Sequence, residues 1–144
     1  MTESVSILVS YAIMSSFSLI VAHELAHEPE TRPADYYCGQ LIYALQWKMH
    51  YPYEHNTGHH TSVGLAGDTE TARRGESLYA FSVRHFAGTY GGAWADRAEH
   101  LGGDMAAAAC FARWTCCSAA VTLAVAHTLQ SWWAVLFILG TAGI

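Results

Sequence analysis

Residues 5–27 read VSILVSYAIMSSFSLIVAHELAH, and their reading decides the fold. Residues 5–22 carry no charge and come close to the roughly 20 residues that span a hydrocarbon core, so a transmembrane helix is predicted there. It runs straight into two histidines four apart, His23 and His27. On a helix, positions i and i+4 stand one turn above each other, so both rings can chelate one ion from the helix end. No basic segment precedes the apolar run and HELAH is unlike a cleavage site, so the helix is read as part of the mature chain rather than as a secretory signal.

The remainder of the chain fits the same class. Of its 144 residues 52% are hydrophobic and 13% charged, an apolar balance unusual for a soluble domain. Residues 105–144 contain one charge, Arg113, over a length too great for a single span, which predicts an apolar hairpin with a break at 127–131. Its second arm, from Trp132, is shorter than a span, so the chain reads as a single partial domain over 1–144. Lys48 and five of the six arginines lie between Arg32 and Arg97, which by the positive-inside tendency makes 51–104 a cytoplasmic polar region. Pro29 and Pro33 end the first helix, and Asp35 caps a second over 35–50. A loop follows over 61–71, and then an amphipathic stretch over 77–94 that Gly88, Gly91 and Gly92 weaken. The fold class is all-α, an integral-membrane helical bundle. A net charge of −5 without a basic stripe speaks against nucleic acid as a partner. The four cysteines form no CxxC pair and three sit in apolar sequence, so they are assigned no chemistry.

A second histidine cluster, EHNTGHH at 54–60, changes the reading of the first. His55 and His59 repeat the i, i+4 spacing and His60 adds a third ring. Five imidazoles are too many for one tetrahedral zinc with an open position, and they favour a nitrogen-rich site for two borderline metals such as iron. Glu24 and Glu54 each adjoin a ligand histidine and are expected to accept its other ring N–H. HELAH is also literally HExxH, so one alternative is a membrane zinc protease using His23 and His27 with Glu24 as general base. Another is a non-catalytic membrane protein that binds metal weakly.

HELAH, then HYPYEHNTGHH, then the tract carrying Asp68, Arg74, Gly75, Glu76, Tyr79, Phe81, Arg84, Gly88, Ala93 and Trp94 closely resemble the membrane alkane 1-monooxygenases. These belong to the histidine-box di-iron branch of the fatty acid desaturase and hydroxylase superfamily. The resemblance implies that His23 and His27 are the first histidine box and His55, His59 and His60 the second, all ligating iron at the cytoplasmic ends of transmembrane helices. His50 would support the ligand rings or pack beside them rather than bind iron, while His85, His100 and His127 match no box. It implies two iron ions, O2, an alkane-type substrate hydroxylated at its terminal methyl, and electrons from a rubredoxin and its reductase. The setting would be membrane lipid, in a bacterial inner membrane with the metal facing the cytoplasm. Arg73, Arg74 and Arg84 would suit an acidic electron carrier. Ile13, Phe17 and Ile20 share a face pointing toward HELAH and are read as helix packing before substrate channel. Two departures stand out: Glu28 where the family has a basic residue, and ValGlyLeuAla at 63–66 in place of a proline-containing segment, which is expected to loosen that loop. The family's later histidine boxes do not occur in 1–144, so the ligand set is read as incomplete and the isolated chain as inactive.

Overall fold

With no glycine or proline between Thr2 and Ala26, nothing interrupts the hydrogen-bond ladder of the first helix. The computed structural model describes residues 2–27, 31–128, 130 and 132–142, and among them there is no strand. The elements are α1 (Thr2–Ala26), α2 (Pro33–Leu45), α3 (Tyr51–Glu54), a π-helical turn (His55–His59), α4 (His60–Ser62), α5 (Leu78–Leu101), α6 (Asp104–Thr128) and α7 (Trp133–Ala142). They form two compact units, Met1–Met49 with Trp114–Ile144, and His50–Arg113. Glu28 and Pro29 lie outside the described residues. So do Leu129 and Ser131, within the expected break at 127–131 between α6 and α7.

In the first unit α1 and α2 meet through small residues. Ala22, Ala26, Gly39 and Ala44 are buried, and a Cβ at Gly39 would stand 2.8 Å from the carbonyl oxygen of Ala22. The close approach is reinforced by polar links from Gln46, whose Nε2 donates to Ser18 Oγ (2.6 Å) and whose Oε1 accepts from Ser15 Oγ (2.7 Å). The helix expected over 35–50 instead runs Pro33–Leu45. Trp47 takes a left-handed conformation (φ 60), its N–H bonds to Ala44 O, and the N–H of Lys48 reaches back to Tyr43 O. That is the pattern of a Schellman cap, with tryptophan where glycine is usual. The indole Nε1 donates to Thr122 Oγ1 on α6 at 3.1 Å, a contact that offsets the cost of positive φ.

Ile13, Phe17 and Ile20 do not pack within this unit; they are 53%, 60% and 60% exposed and form an apolar stripe along α1. Among the described residues, α6 is the one helix long and apolar enough to cross a membrane, and Ile13–Ala26 is a shorter apolar helix.

In the second unit α5 begins where Ser77 accepts the N–H of Ala80 (3.2 Å) and ends at Gly102, in the left-handed region at φ 87. Its glycines do not break it. A Cβ at Gly92 would lie 2.5 Å from Glu54 Cγ, and one at Gly88 2.4 Å from Thr69 Cγ2. The glycines therefore admit α3 and the loop after α4, and the packing they permit outweighs their poor helix propensity. Trp94 stacks on Phe111 at 5.7 Å, and the Arg97 guanidinium covers the Tyr53 ring at 4.4 Å.

Candidate metal centre

At 3.6 residues per turn, side chains five apart on an α-helix point roughly 140° away from each other. His55 and His60 are five apart, yet their Nε2 atoms face each other at 3.1 Å. The π-helical turn makes this possible: the N–H of His60 bonds to His55 O, one residue further back than in an α-helix, which brings positions 55 and 60 onto one face. The i, i+4 pair expected to chelate, His55 and His59, is stacked ring on ring at 5.2 Å instead. Thr57 Oγ1 and Ser62 Oγ donate to Tyr53 O and Gly58 O, giving partners to carbonyls along the widened turn.

Two carboxylates set the tautomers. Nδ1 of His55 donates to Glu70 Oε1 (2.9 Å), and Nδ1 of His59 donates to Asp68 Oδ1 (2.9 Å). In a neutral ring, a proton on Nδ1 leaves Nε2 as the lone-pair nitrogen, the state a metal ligand requires. Asp68 is fully buried at its side chain. Burial alone would raise its carboxyl, but hydrogen bonds from Thr71 and His59 and from the Gly64 and Glu70 amides hold it well below the usual carboxylate range. Burial likewise works against Glu70, and the bonds from His55 and from the Tyr51 hydroxyl (2.7 Å) lower it on balance. Desolvation opposes charge on His59, yet the bond to Asp68 and the charges of Glu70, Asp68 and Glu54 raise its pKa overall.

Glu54 does not have the role expected of it. Its Oε1 accepts from Thr69 Oγ1 (3.0 Å), no histidine donates to it, and burial pushes its carboxyl up. Successive residues on a helix do not share a face, so Glu54 turns toward Gly92 while His55 turns toward Glu70. Its Oε2 is buried with no hydrogen-bond partner among the described residues. The carboxylates that do hold the rings, Asp68 and Glu70, were not singled out as ring partners from the sequence. The available signal was two acidic residues alternating in the short loop behind the box. That loop is not loosened: Gly64 takes φ 75 and its N–H donates to Asp68 Oδ2 at 2.9 Å.

The first box, in the other unit, repeats the arrangement. His23 Nδ1 donates to Glu24 Oε1 at 3.0 Å, and His23 Nε2 faces His27 Nε2 at 3.1 Å. Two imidazole nitrogens bound cis to one ion at about 2.1 Å stand roughly 3 Å apart, so each pair already has the spacing of a chelate. His55, His59 and Glu70 also bring ligand atoms within 4.8 Å of one another. Imidazole nitrogens with the Glu70 carboxylate beside them are a donor set that fits iron.

The remaining residues divide simply. His50 packs, stacked on Tyr90 at 3.7 Å with Phe86 edge-on at 5.8 Å. The ring of His85 lies 3.3 Å from Thr69 O, that of His100 2.8 Å from Asp96 O, and His127 is exposed. Arg84 is turned inward, its Nε and Nη2 on Glu76 at 2.8 and 2.7 Å, so it does not join Arg73 and Arg74 at the surface. The pairing holds Glu76 down at about 2.

Residues 4–144 match the family described as fatty acid desaturase. The chain belongs to that family. Within it the chain is alkane 1-monooxygenase-like. It is 35% identical over 99 residues to alkane 1-monooxygenase 1 of Alcanivorax borkumensis, a match covering 69% of this chain and 24% of that protein. It is 36% identical over 92 residues to an alkane 1-monooxygenase of Ectopseudomonas oleovorans, covering 64% and 22%, and 33% identical over 99 residues to one of Pseudomonas putida, covering 69% and 24%. The chain thus spans about a quarter of the length of these relatives. No solved structure matches it.

Proposed function

We propose that this desaturase-family chain is part of a membrane non-haem di-iron monooxygenase in which His23, His27, His55, His59 and His60 are iron ligands. The carrying observation is the arrangement found in both boxes, a ring whose Nδ1 proton is held by a carboxylate and whose Nε2 faces a second imidazole at 3.1 Å. The whole protein would hydroxylate the terminal methyl of an alkane, or of a related apolar substrate, to a primary alcohol, consuming O2 and electrons from a rubredoxin and its reductase. The names of its relatives support the substrate class. When bound, iron supplies the activation of O2 and the oxidation of the C–H bond.

The chain's own residues supply position and protonation. Glu24, Glu70 and Asp68 hold the Nδ1 protons of His23, His55 and His59, keeping Nε2 of each ring available to metal. With the Nδ1 proton of His55 directed at Glu70, its Nε2 is the acceptor and His60 the donor across the 3.1 Å contact in the metal-free chain, and His60 would give up that proton to bind metal. α6 is the spanning helix, the boxes lie at the cytoplasmic membrane face, and exposed Arg73 and Arg74 attract an acidic electron carrier. The protease reading is less well supported. Glu24 sits on Nδ1 of His23, the edge of the ring opposite the Nε2 that faces His27, and not where a metal-bound water would need its base.

The test replaces the matching quarter of the Pseudomonas putida relative with this chain and measures conversion of octane to 1-octanol in whole cells, with iron and zinc assayed in the purified protein. Iron-loaded protein that makes octanol, and loses both iron and activity on His23→Ala or His55→Ala, is the expected result. Zinc as the bound metal, with peptide cleavage lost on Glu24→Gln, would replace this function with the protease one.

A further inference from the structure

Both carboxylates that orient the second box come from one short segment, 68–70, and that segment is held by a single cation. Arg84, on α5, donates through Nη1 to the carbonyls of Asp68 and Thr69 (3.4 Å each) and through Nη2 to Thr71 O (2.9 Å). Its Nε and Nη2 also grip the two oxygens of Glu76. The guanidinium thus ties three carbonyls of the 68–71 segment to α5, while Glu76 fixes its plane. Asp68 adds four bonds of its own, from His59, Thr71 and the Gly64 and Glu70 amides, so the segment has little freedom once Arg84 is in place.

We infer that Arg84, paired with Glu76, is a positioning residue of the second-box metal site, acting through the 68–71 backbone on the ring orientation and tautomer of His55 and His59. The inference rests on the proposal above that these histidines bind metal. Arg84 bonds to neither ring; it presents the carbonyls, the carbonyls place Asp68 and Glu70, and these take the Nδ1 protons. Only a planar fork serves every acceptor at once, which makes lysine a poor substitute. The same geometry removes Arg84 from any surface that recruits an acidic carrier, since its side chain is 21% exposed and its nitrogens point into the loop.

The test uses the 144-residue chain in detergent, metal-free, with cobalt(II) as the probe. Two readouts are taken: the dissociation constant from the visible d–d bands, and the histidine tautomers from 15N spectra without metal. Wild type is expected to show Nδ1–H rings at His55 and His59. Arg84→Gln should lose that tautomer order and bind cobalt about tenfold more weakly, in the range typical of groups that orient ligands. Arg84→Lys should fall between, and Arg74→Gln, exposed on the same loop, should match wild type in both readouts. Wild-type tautomers and affinity in Arg84→Gln would overturn the inference, as would wild-type behaviour of Arg84→Lys should the glutamine variant not fold. If the unsubstituted chain binds no cobalt, it is the metal reading that fails. The positioning role is then decided by the metal-free tautomers alone, lost in the Arg84 variants if it is right and unchanged if it is wrong.

Discussion

Nε2 of His60 lies 3.1 Å from Nε2 of His55, although the two are five positions apart in the chain. An α-helix would direct these rings apart, and the π-helical turn of His55–His59 brings them together. The consequence is a change of partner. His55 faces His60, and His59 stands stacked on His55 with its own carboxylate, Asp68.

Loss of either member of the facing pair should therefore cost the same. His55→Ala and His60→Ala are each expected to weaken cobalt(II) binding at least tenfold, about 1.4 kcal/mol. His100→Ala, whose ring rests on the Asp96 carbonyl, should bind as wild type does. Titration followed by visible absorption makes the comparison. Equal losses in all three variants would mean that the π turn does not build the site.

Glu54 provides a pH signature in the metal-free chain. Burial raises its carboxyl above the ordinary 4.5, so the folded state holds the proton more tightly than the unfolded one. Ionising it then costs stability, and that cost grows as pH rises from 4.5 through the folded value. Glu54→Gln carries no such penalty. Compared by denaturant unfolding, it should match wild type near about pH 4 and exceed it near about pH 8. The opposite order at the higher pH would show that the charged carboxylate is stabilising.

Glu76 titrates in the other direction. Its bonds from Arg84 lower it from 4.5 to about 2, so its contribution is complete above 4.5 and disappears as pH falls toward 2. Thermal melts of wild type should lose stability across that window, and Glu76→Gln should show a shallower acid limb. Parallel limbs in the two proteins would rule out the ion pair as a source of acid sensitivity.

Packing of α1 on α2 depends on the missing side chain at Gly39, because the obstructing atom there is a backbone oxygen that cannot swing aside. Gly39→Ala should destabilise by about 1–3 kcal/mol, the usual cost of overpacking. Gly67→Ala, with nothing within 4 Å of its Cβ, should be close to neutral. Unfolding of the two variants side by side decides it.

Much of this was legible in the chain itself. An uninterrupted apolar run ending in HELAH requires a helix that delivers His23 and His27 on one face, and the facing Nε2 atoms at 3.1 Å are what that spacing implies. The all-helical character follows from composition and period. The end of α2 was not readable: a tryptophan at φ 60 has no local signature, since its indole is held by Thr122, 75 residues away. Gly88 and Gly92 looked like weaknesses in α5 because their cost is local, whereas their benefit, room for Thr69 and Glu54, exists only across elements.

By itself, then, the sequence determined the helical class, the two histidine clusters and the chemistry of their donors, because these depend on residue type and on spacing along one helix. Only the tertiary structure decided which rings face each other and which carboxylates hold them. Helical period assumes 3.6 residues per turn, and a single π turn rotates every following side chain. A carboxylate in a loop can reach any ring within hydrogen-bond distance, so it is Arg84, anchoring the loop from α5, that aims Asp68 and Glu70 at His59 and His55.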